Sequence, residues 1–331
     1  MNAQSVNLTR YQSGQRAGHY ESFFLRANDP HRPLAFWIRY TLFSPQAHPE
    51  RAIGELWAVC FDGESGKHVA AKTEVPIDRC RFSNQSFDVQ VGDAQLGDGH
   101  LHGGAASSGH RIDWRLRFAG GAAPVFLLPQ RMYEASLPKA KSLVSLPLAR
   151  FDGELIVDGT KLDVANWIGS QNHNWGSKHT DLYAWGQVCG FDDHPDSFLE
   201  VATARLKLGP LWTPPMTPMV LRHRGKEHVL NDLGKTFHAT GEFSYFTWRF
   251  ESENETVRIE GRIHAAPQAF VGLRYYNPPG GIKHCLNSKL ASCDVRLSDR
   301  SSGNTEVLRT ANRAAFEILT DDVQHGIELR A

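Results

Sequence analysis

No stretch of this 331-residue chain comes near an uninterrupted apolar run of the roughly 18 residues that a membrane-spanning helix needs. The opening MNAQSVNLTRYQSGQRAGHY is polar throughout, which argues against an export signal. Net charge is missing too, because 36 Lys and Arg balance 36 Asp and Glu. That removes the broad basic field expected of a nucleic-acid partner. The five cysteines (Cys60, Cys80, Cys189, Cys285, Cys293) are odd in number, scattered, and lack a C-x-x-C pair. Reduced thiols in a cytoplasm, with no structural zinc, are the expectation. Walker A, dinucleotide-binding and G-x-S-x-G patterns are absent, which disfavours phosphate-loop enzymes, dinucleotide-dependent enzymes and α/β-hydrolases.

Helical periodicity is also scarce, and "NRAAFEIL" (312–319) is the only fair short helix candidate. Period two dominates instead. "RIDWRLRF" sets Ile112, Trp114, Leu116 and Phe118 against Asp113, Arg115 and Arg117, the alternation of a strand with one wet face. "TVRIEGRIHA" and "YFTWRFE" repeat it. "PLAFWIRYTLF" (33–43) and "ELWAVCF" (55–61) are apolar on both faces, as strands between a barrel interior and a second packed layer would be. "FDGE" (151–154), "VDGT" (157–160) and "NPPGG" (277–281) read as tight connections, with a hairpin over 150–165 turning at Asp158-Gly159. Short strands spaced by turns predict an all-β fold, an antiparallel barrel or a sandwich, with few short helices. The length favours two domains, expected at 1–185 and 186–331.

"GPLWTPPMTPM" (209–219) cannot be a central strand, since Pro214, Pro215 and Pro218 would interrupt the ladder. It reads as an apolar crossover loop or a substrate lid, with Trp212 the candidate ligand contact. The His100-x-His102 pair has metal-ligand spacing but no identifiable third ligand. It reads as part of a Gly-rich loop, as does "HGGAASSGH" (102–110). Cys285 and Cys293 read as packed core.

The densest polar stretch is "GSQNHNWGSKHTDLYAWGQV" (169–188). It could be a core with ordinary hydrogen bonds, a lid, or the wall of a site. If Gln171–Trp175 and Asp181–Gln187 form a hairpin, pairing Trp175 with Asp181 sets His173 opposite Tyr183 and Gln171 opposite Trp185. Asn172 and Asn174 would then take the other face. An imidazole, a carboxylate, a phenol and two indoles would share one interior, at a cost unless each polar group is paired.

"HNWG" (173–176), followed by an aromatic-rich strand, resembles the lipocalin-like family of carotenoid 1,2-hydratases, AttH-like proteins and fungal Diels–Alderases, and more distantly tocopherol cyclases. "YESFFLRA" (20–27) resembles their aromatic opening strand. The resemblance implies two consecutive lipocalin-like β-barrels and a hydrophobic ligand of isoprenoid, polyene or polyketide-like character. It also implies that His173 and Trp175 line a reaction site with a nearby acid and a tyrosine.

Those roles have a chemical logic. Hydration or cyclisation needs an acid, a surface tolerant of positive charge, and a base. A carboxyl buried in apolar surroundings can stay protonated near neutral pH, indole and phenol faces attract cations, and a neutral imidazole can deprotonate water. Asp181 or Glu200 as acid, Trp175 and Trp185 as π surfaces, His173 as base and Tyr183 beside them would fill the roles, with Gln171, Glu200 and Trp212 contacting substrate. The expectation is a cofactor-free, metal-free and non-redox activity on a hydrophobic small molecule. The rival is a non-catalytic lipid or pigment carrier. Transient membrane contact and oligomeric state stay open.

Overall fold

The computed structural model describes residues 5–232 and 239–331. The first sheet holds β1 (His19–Asn28), β2 (Leu34–Ser44), β3 (Ile53–Asp62), β4 (Val69–Pro76), β5 (Cys80–Phe82), β6 (Asp88–Val91), β7 (Ala94–Gly97), β8 (His100–Ser107), β9 (His110–Ala119), β10 (Val125–Phe126), β11 (Ala140–Val157) and β12 (Thr160–Gly176). The second holds β13 (Leu182–Cys189), β14 (Phe198–Arg205), β17 (Met219–His223), β18 (Lys226–Leu230), β19 (Thr240–Ser244), β20 (Thr247–Glu253), β21 (Val257–His264), β22 (Val271–Tyr276), β23 (Ile282–Asp299) and β24 (Thr305–Thr320). Between β14 and β17, β15 (Lys207–Leu208) and β16 (Leu211–Trp212) form a small ribbon of their own. Among the described residues there is no α-helix, only 3₁₀ turns, and so none long and apolar enough to cross a membrane.

The first sheet runs β4-β3-β2-β1-β12-β11-β9-β8-β7-β6-β5 and curls into a nearly closed antiparallel barrel. Its closing seam is made by side chains: the Lys72 N–H donates to Ser107 Oγ (3.0 Å) and the Ala106 N–H to Thr73 Oγ1 (2.9 Å). Phe36, Phe118, Phe151 and Trp167 fill it. The second sheet runs β18-β17-β14-β13-β24-β23-β21-β20-β19 around Trp248, Phe250, Phe270 and Phe316. The chain passes between sheets after Gly176 and before Leu182, and the division expected at 185/186 lies inside β13.

A third cluster lies between the two sheets. Phe24, Trp37, Trp57 and Phe61 from the first meet Trp185, Leu273, Tyr275 and Leu319 from the second. This explains why β2 and β3 are buried along both faces: one face fills the barrel, and the other fills the interlayer. Each fully buried large apolar side chain there contributes roughly 1.5–3 kcal/mol.

Several sequence expectations hold. β9 and β21 alternate as read. Asp158 and Gly159, both at positive φ, turn β11 into β12, as a two-residue hairpin loop requires. Residues 277–281 connect β22 and β23, and all five cysteines are free. Others fail. "NRAAFEIL" lies within β24, hydrogen-bonded to β13 on one side and β23 on the other, so ladder pairing overrides local helix preference. "FDGE" is not a turn, because it sits inside β11 at a register shift. Residues 100–107 form β8 and not a loop, and its pairing to β7 and β9 fixes His100 and His102 on an exposed strand.

Candidate active site

The hairpin expected between Gln171–Trp175 and Asp181–Gln187 does not form. β12 is paired on both edges, by β1 and β11, and β13 by β14 and β24. Neither has an edge left for the other, so His173 does not face Tyr183 and Gln171 does not face Trp185. Period two then divides the stretch between compartments. Gln171, His173 and Trp175 share a face with Glu21, Phe23 and Leu25 of β1, toward the first barrel's interior. Asn172 and Ser170, on the opposite face, meet the Gln187 side chain of β13.

His173 is fully buried and both ring nitrogens are engaged. Nδ1 lies 2.6 Å from the Val6 carbonyl and Nε2 lies 2.8 Å from Glu21 Oε1. Phe23 stacks on it at 4.2 Å and Trp175 tilts against it at 4.7 Å. Glu21 also meets His19 Nε2 at 2.9 Å and accepts the backbone N–H groups of Arg10 and Tyr11. Burial pushes its pKa upward, but the hydrogen bonds from His173 and His19 outweigh that and hold it at about 2. Asn7 and Gln171 exchange hydrogen bonds (3.1 and 2.9 Å), and Arg10 lies over the Trp175 ring at 5.2 Å. These groups strap residues 6–11 across the barrel end.

A second polar centre occupies the interlayer. Glu200 of β14 is 1% exposed; its Oε1 accepts the Trp185 indole N–H (2.8 Å) and its Oε2 the Gln187 amide (2.9 Å). Burial dominates and lifts its pKa to about 8, with the two hydrogen bonds and Arg26 pulling the other way. Gln187 ties this carboxyl to the first barrel: its amide donates to Asn172 Oδ1 (2.9 Å), and its carbonyl oxygen accepts from Ser170 Oγ (2.7 Å). Arg26 reaches Cys189 Sγ and the Arg313 carbonyl. Lys289 is wholly buried and bonds Glu317 Oε1 at 2.7 Å. Its Nζ lies 5.6 Å from the centre of the Trp185 ring and 5.8 Å from that of Trp37. Burial lowers the Lys289 pKa, with Glu317 opposing.

Where Trp57 and Tyr275 meet in the interlayer, a small cleft is lined by these two and by Tyr20, Arg39, Glu55 and His179. It encloses about 10 Å³, room for one water molecule at most. His179 stacks on Tyr20 at 3.9 Å, and burial together with Arg39 drops its pKa to about 3, so it is neutral. The indole N–H groups of Trp37 and Trp57 and the Nε–H of Arg39 are buried donors without a hydrogen-bond partner among the described residues. Such orphans cost about 1–3 kcal/mol each.

Of the remaining candidates, Asp181 and Trp212 sit apart and Tyr183 joins the interlayer. Asp181 accepts from Lys178 Nζ (2.5 Å) and the Lys207 N–H (2.9 Å). Burial would raise its pKa, but those two partners outweigh it and the net shift is downward, which leaves the group ionised. Tyr183 lies in the interlayer cluster with Trp185, and burial drives its pKa upward. Trp212 lies on the β15–β16 ribbon, 41% exposed, with Arg205 and Lys207 against its ring. Sequence reading passed over Glu21, Arg39, Gln187, Lys289 and Glu317. The signal for two of them was a lone charge inside an otherwise apolar strand, Arg39 in "FWIRY" and Glu317 in "AAFEIL".

No family model and no curated protein sequence matches this chain. Solved structures do. An AttH-like protein of Nitrosomonas europaea superposes with a TM-score of 0.58 at 12% identity, over 95% of this chain and 96% of the other. Kievitone hydratase of Nectria haematococca gives 0.53 at 12%, over 97% and 96%. CghA gives 0.56 at 12%, over 98% and 94%. The fold is therefore shared end to end with the kind of protein that "HNWG" resembles.

Proposed function

We propose that the protein is a non-redox enzyme that transfers a proton to a hydrophobic small molecule in the layer between its two sheets, completing a hydration or a cyclisation. The carrying observation is Glu200, a buried carboxyl lifted to about 8 and therefore largely protonated near neutral pH. Asp181, the other candidate acid, is held ionised and cannot take that role. The hydratase among proteins of this fold supports the reading.

The electrostatics narrow the substrate. With Glu200 neutral, the interlayer carries Arg26, Arg39 and Lys289 against Glu317, while Glu55, whose side chain lines the cleft, is paired with Lys72 at 2.6 Å. The Trp185 face, a candidate surface for a carbocation, already has the Lys289 ammonium near it. Buried cations favour developing negative charge, so protonation of an unactivated alkene is disfavoured there. A carbonyl-activated substrate fits better: charge builds on its oxygen, which the unpartnered donors of Trp37, Trp57 and Arg39 suit. Glu200 protonates carbon or oxygen, and its carboxylate recovers the proton from attacking water or from an internal hydroxyl. Because the cleft is water-sized, substrate entry requires Tyr20, His179 or Tyr275 to move. His173, with both nitrogens engaged, is a positioning residue for the strap. The same orphan donors would also serve a carrier that performs no chemistry.

The test is incubation of a host metabolite extract in ¹⁸O-labelled water with wild type and Glu200→Gln. A hydratase yields a product heavier by one labelled water, and a cyclase yields an isomer of unchanged mass at a new retention time. Either product should vanish with Glu200→Gln. Identical products from both proteins would refute Glu200 as acid, and a metabolite that copurifies unchanged would establish the carrier.

A further inference from the structure

We propose that His194, His223 and Glu306 form a binding site for a divalent transition-metal ion of zinc type at the rim of the second sheet. The three come from distant parts of the chain: the loop between β13 and β14, the end of β17, and the start of β24. Their donor atoms lie within 4.8 Å of one another. His194 Nε2 is 3.2 Å from Glu306 Oε1, and His223 Nε2 is 3.0 Å from Oε2. Ligand atoms around a tetrahedral zinc ion stand roughly 3.2–3.5 Å apart, so small side-chain rotations bring all three to one ion.

The surroundings are those of a prepared site. The His223 side chain is 4% exposed, and its Nδ1 meets the buried Ser197 hydroxyl at 2.7 Å. That contact aims Nε2 at the cluster and, once a metal takes Nε2, accepts the Nδ1 proton. Such outer partners orient ligating imidazoles. The His194 loop is rigidly built: the Ser197 N–H donates to the His194 carbonyl, the Gly190 N–H to the Ser197 carbonyl, and Asp192 grips Arg313. Two imidazoles and one carboxylate suit zinc, cobalt or nickel and not calcium or magnesium. The competitor is Arg224, whose Nη2 donates to Glu306 Oε1 at 2.7 Å. Its side chain is 68% exposed and can swing into water.

This gives a test with two directions. Untagged protein, stripped with a chelator, is titrated calorimetrically with zinc chloride near neutral pH, and cobalt(II) absorption reports the coordination geometry. The expected result is one ion per chain and tetrahedral cobalt bands, with affinity lost by about tenfold or more in His223→Ala and in His194→Ala. Arg224→Ala, a change at an exposed position, should tighten binding severalfold. His325→Ala, which removes half of the separate His284–His325 pair, should leave it unchanged. A flat titration, unaltered affinity in both histidine variants, or an Arg224→Ala variant that binds no better would each overturn the site.

Discussion

Replacing Glu200 by Gln isolates the energetic consequence of holding a carboxyl in the interlayer. In an unfolded chain this group loses its proton near 4.5; in the folded protein it does so at about 8. Between those pH values the unfolded state binds fewer protons than the native state, so folding stability falls as pH rises. At about 1.36 kcal/mol per pH unit, the loss accumulates to about 5 kcal/mol by pH 8 and is then constant. Glu200→Gln lacks this titration. Its cost from disturbed bonding to Trp185 and Gln187 is independent of pH, so the informative quantity is the slope. Urea unfolding followed by tryptophan fluorescence across pH 5 to 9 should show wild type losing stability relative to the variant by several kcal/mol. Infrared difference spectra should show a protonated carboxyl in wild type at pH 7 that the variant lacks. Parallel stability curves would mean that Glu200 ionises normally, and the proposed acid would fall with them.

Glu21 should behave in the opposite sense. With a folded value of about 2 against about 4.5 unfolded, it contributes about 3 kcal/mol above pH 4.5, lost as pH falls toward 2. Glu21→Gln should therefore be less stable by that order at pH 7 and converge with wild type in acid, with residues 6–11 newly open to proteases; equal protease resistance would show that the strap is held elsewhere. Gly169→Ala should cost about 3 kcal/mol or more in urea unfolding, because an added methyl would sit 1.8 Å from the Arg26 carbonyl oxygen of the neighbouring strand; a neutral result would mean that β1 and β12 do not approach so closely.

The strands were legible because burial writes period two into residues such as Ile112, Trp114, Leu116 and Phe118, and the doubly apolar "PLAFWIRYTLF" correctly announced a strand packed on both faces. The partner of each strand was not legible. His173 and Tyr183 are close in sequence, and a five-residue connection is compatible with a hairpin, yet the segment carries the chain from one sheet to the other. Nothing local distinguishes those outcomes; the decision lies in β1, β11, β14 and β24, which claim the edges first. The choice of acid stayed open for a related reason. Lys178 stands three residues before Asp181 in the sequence, but only folding places the Trp185 indole against Glu200.

The alternation along β12 and β13 has a consequence for how such a protein can change. Even-numbered residues from Ser170 to Asn172 and odd-numbered ones from Tyr183 to Gln187 address the shared chamber, while Gln171, His173 and Trp175 address the first barrel's interior and its strap. Point substitutions can therefore retune the two compartments separately, as if they belonged to different genes. A one-residue insertion in β12 would instead exchange their contents at a stroke, delivering an imidazole and an indole to the chamber and amides to the barrel.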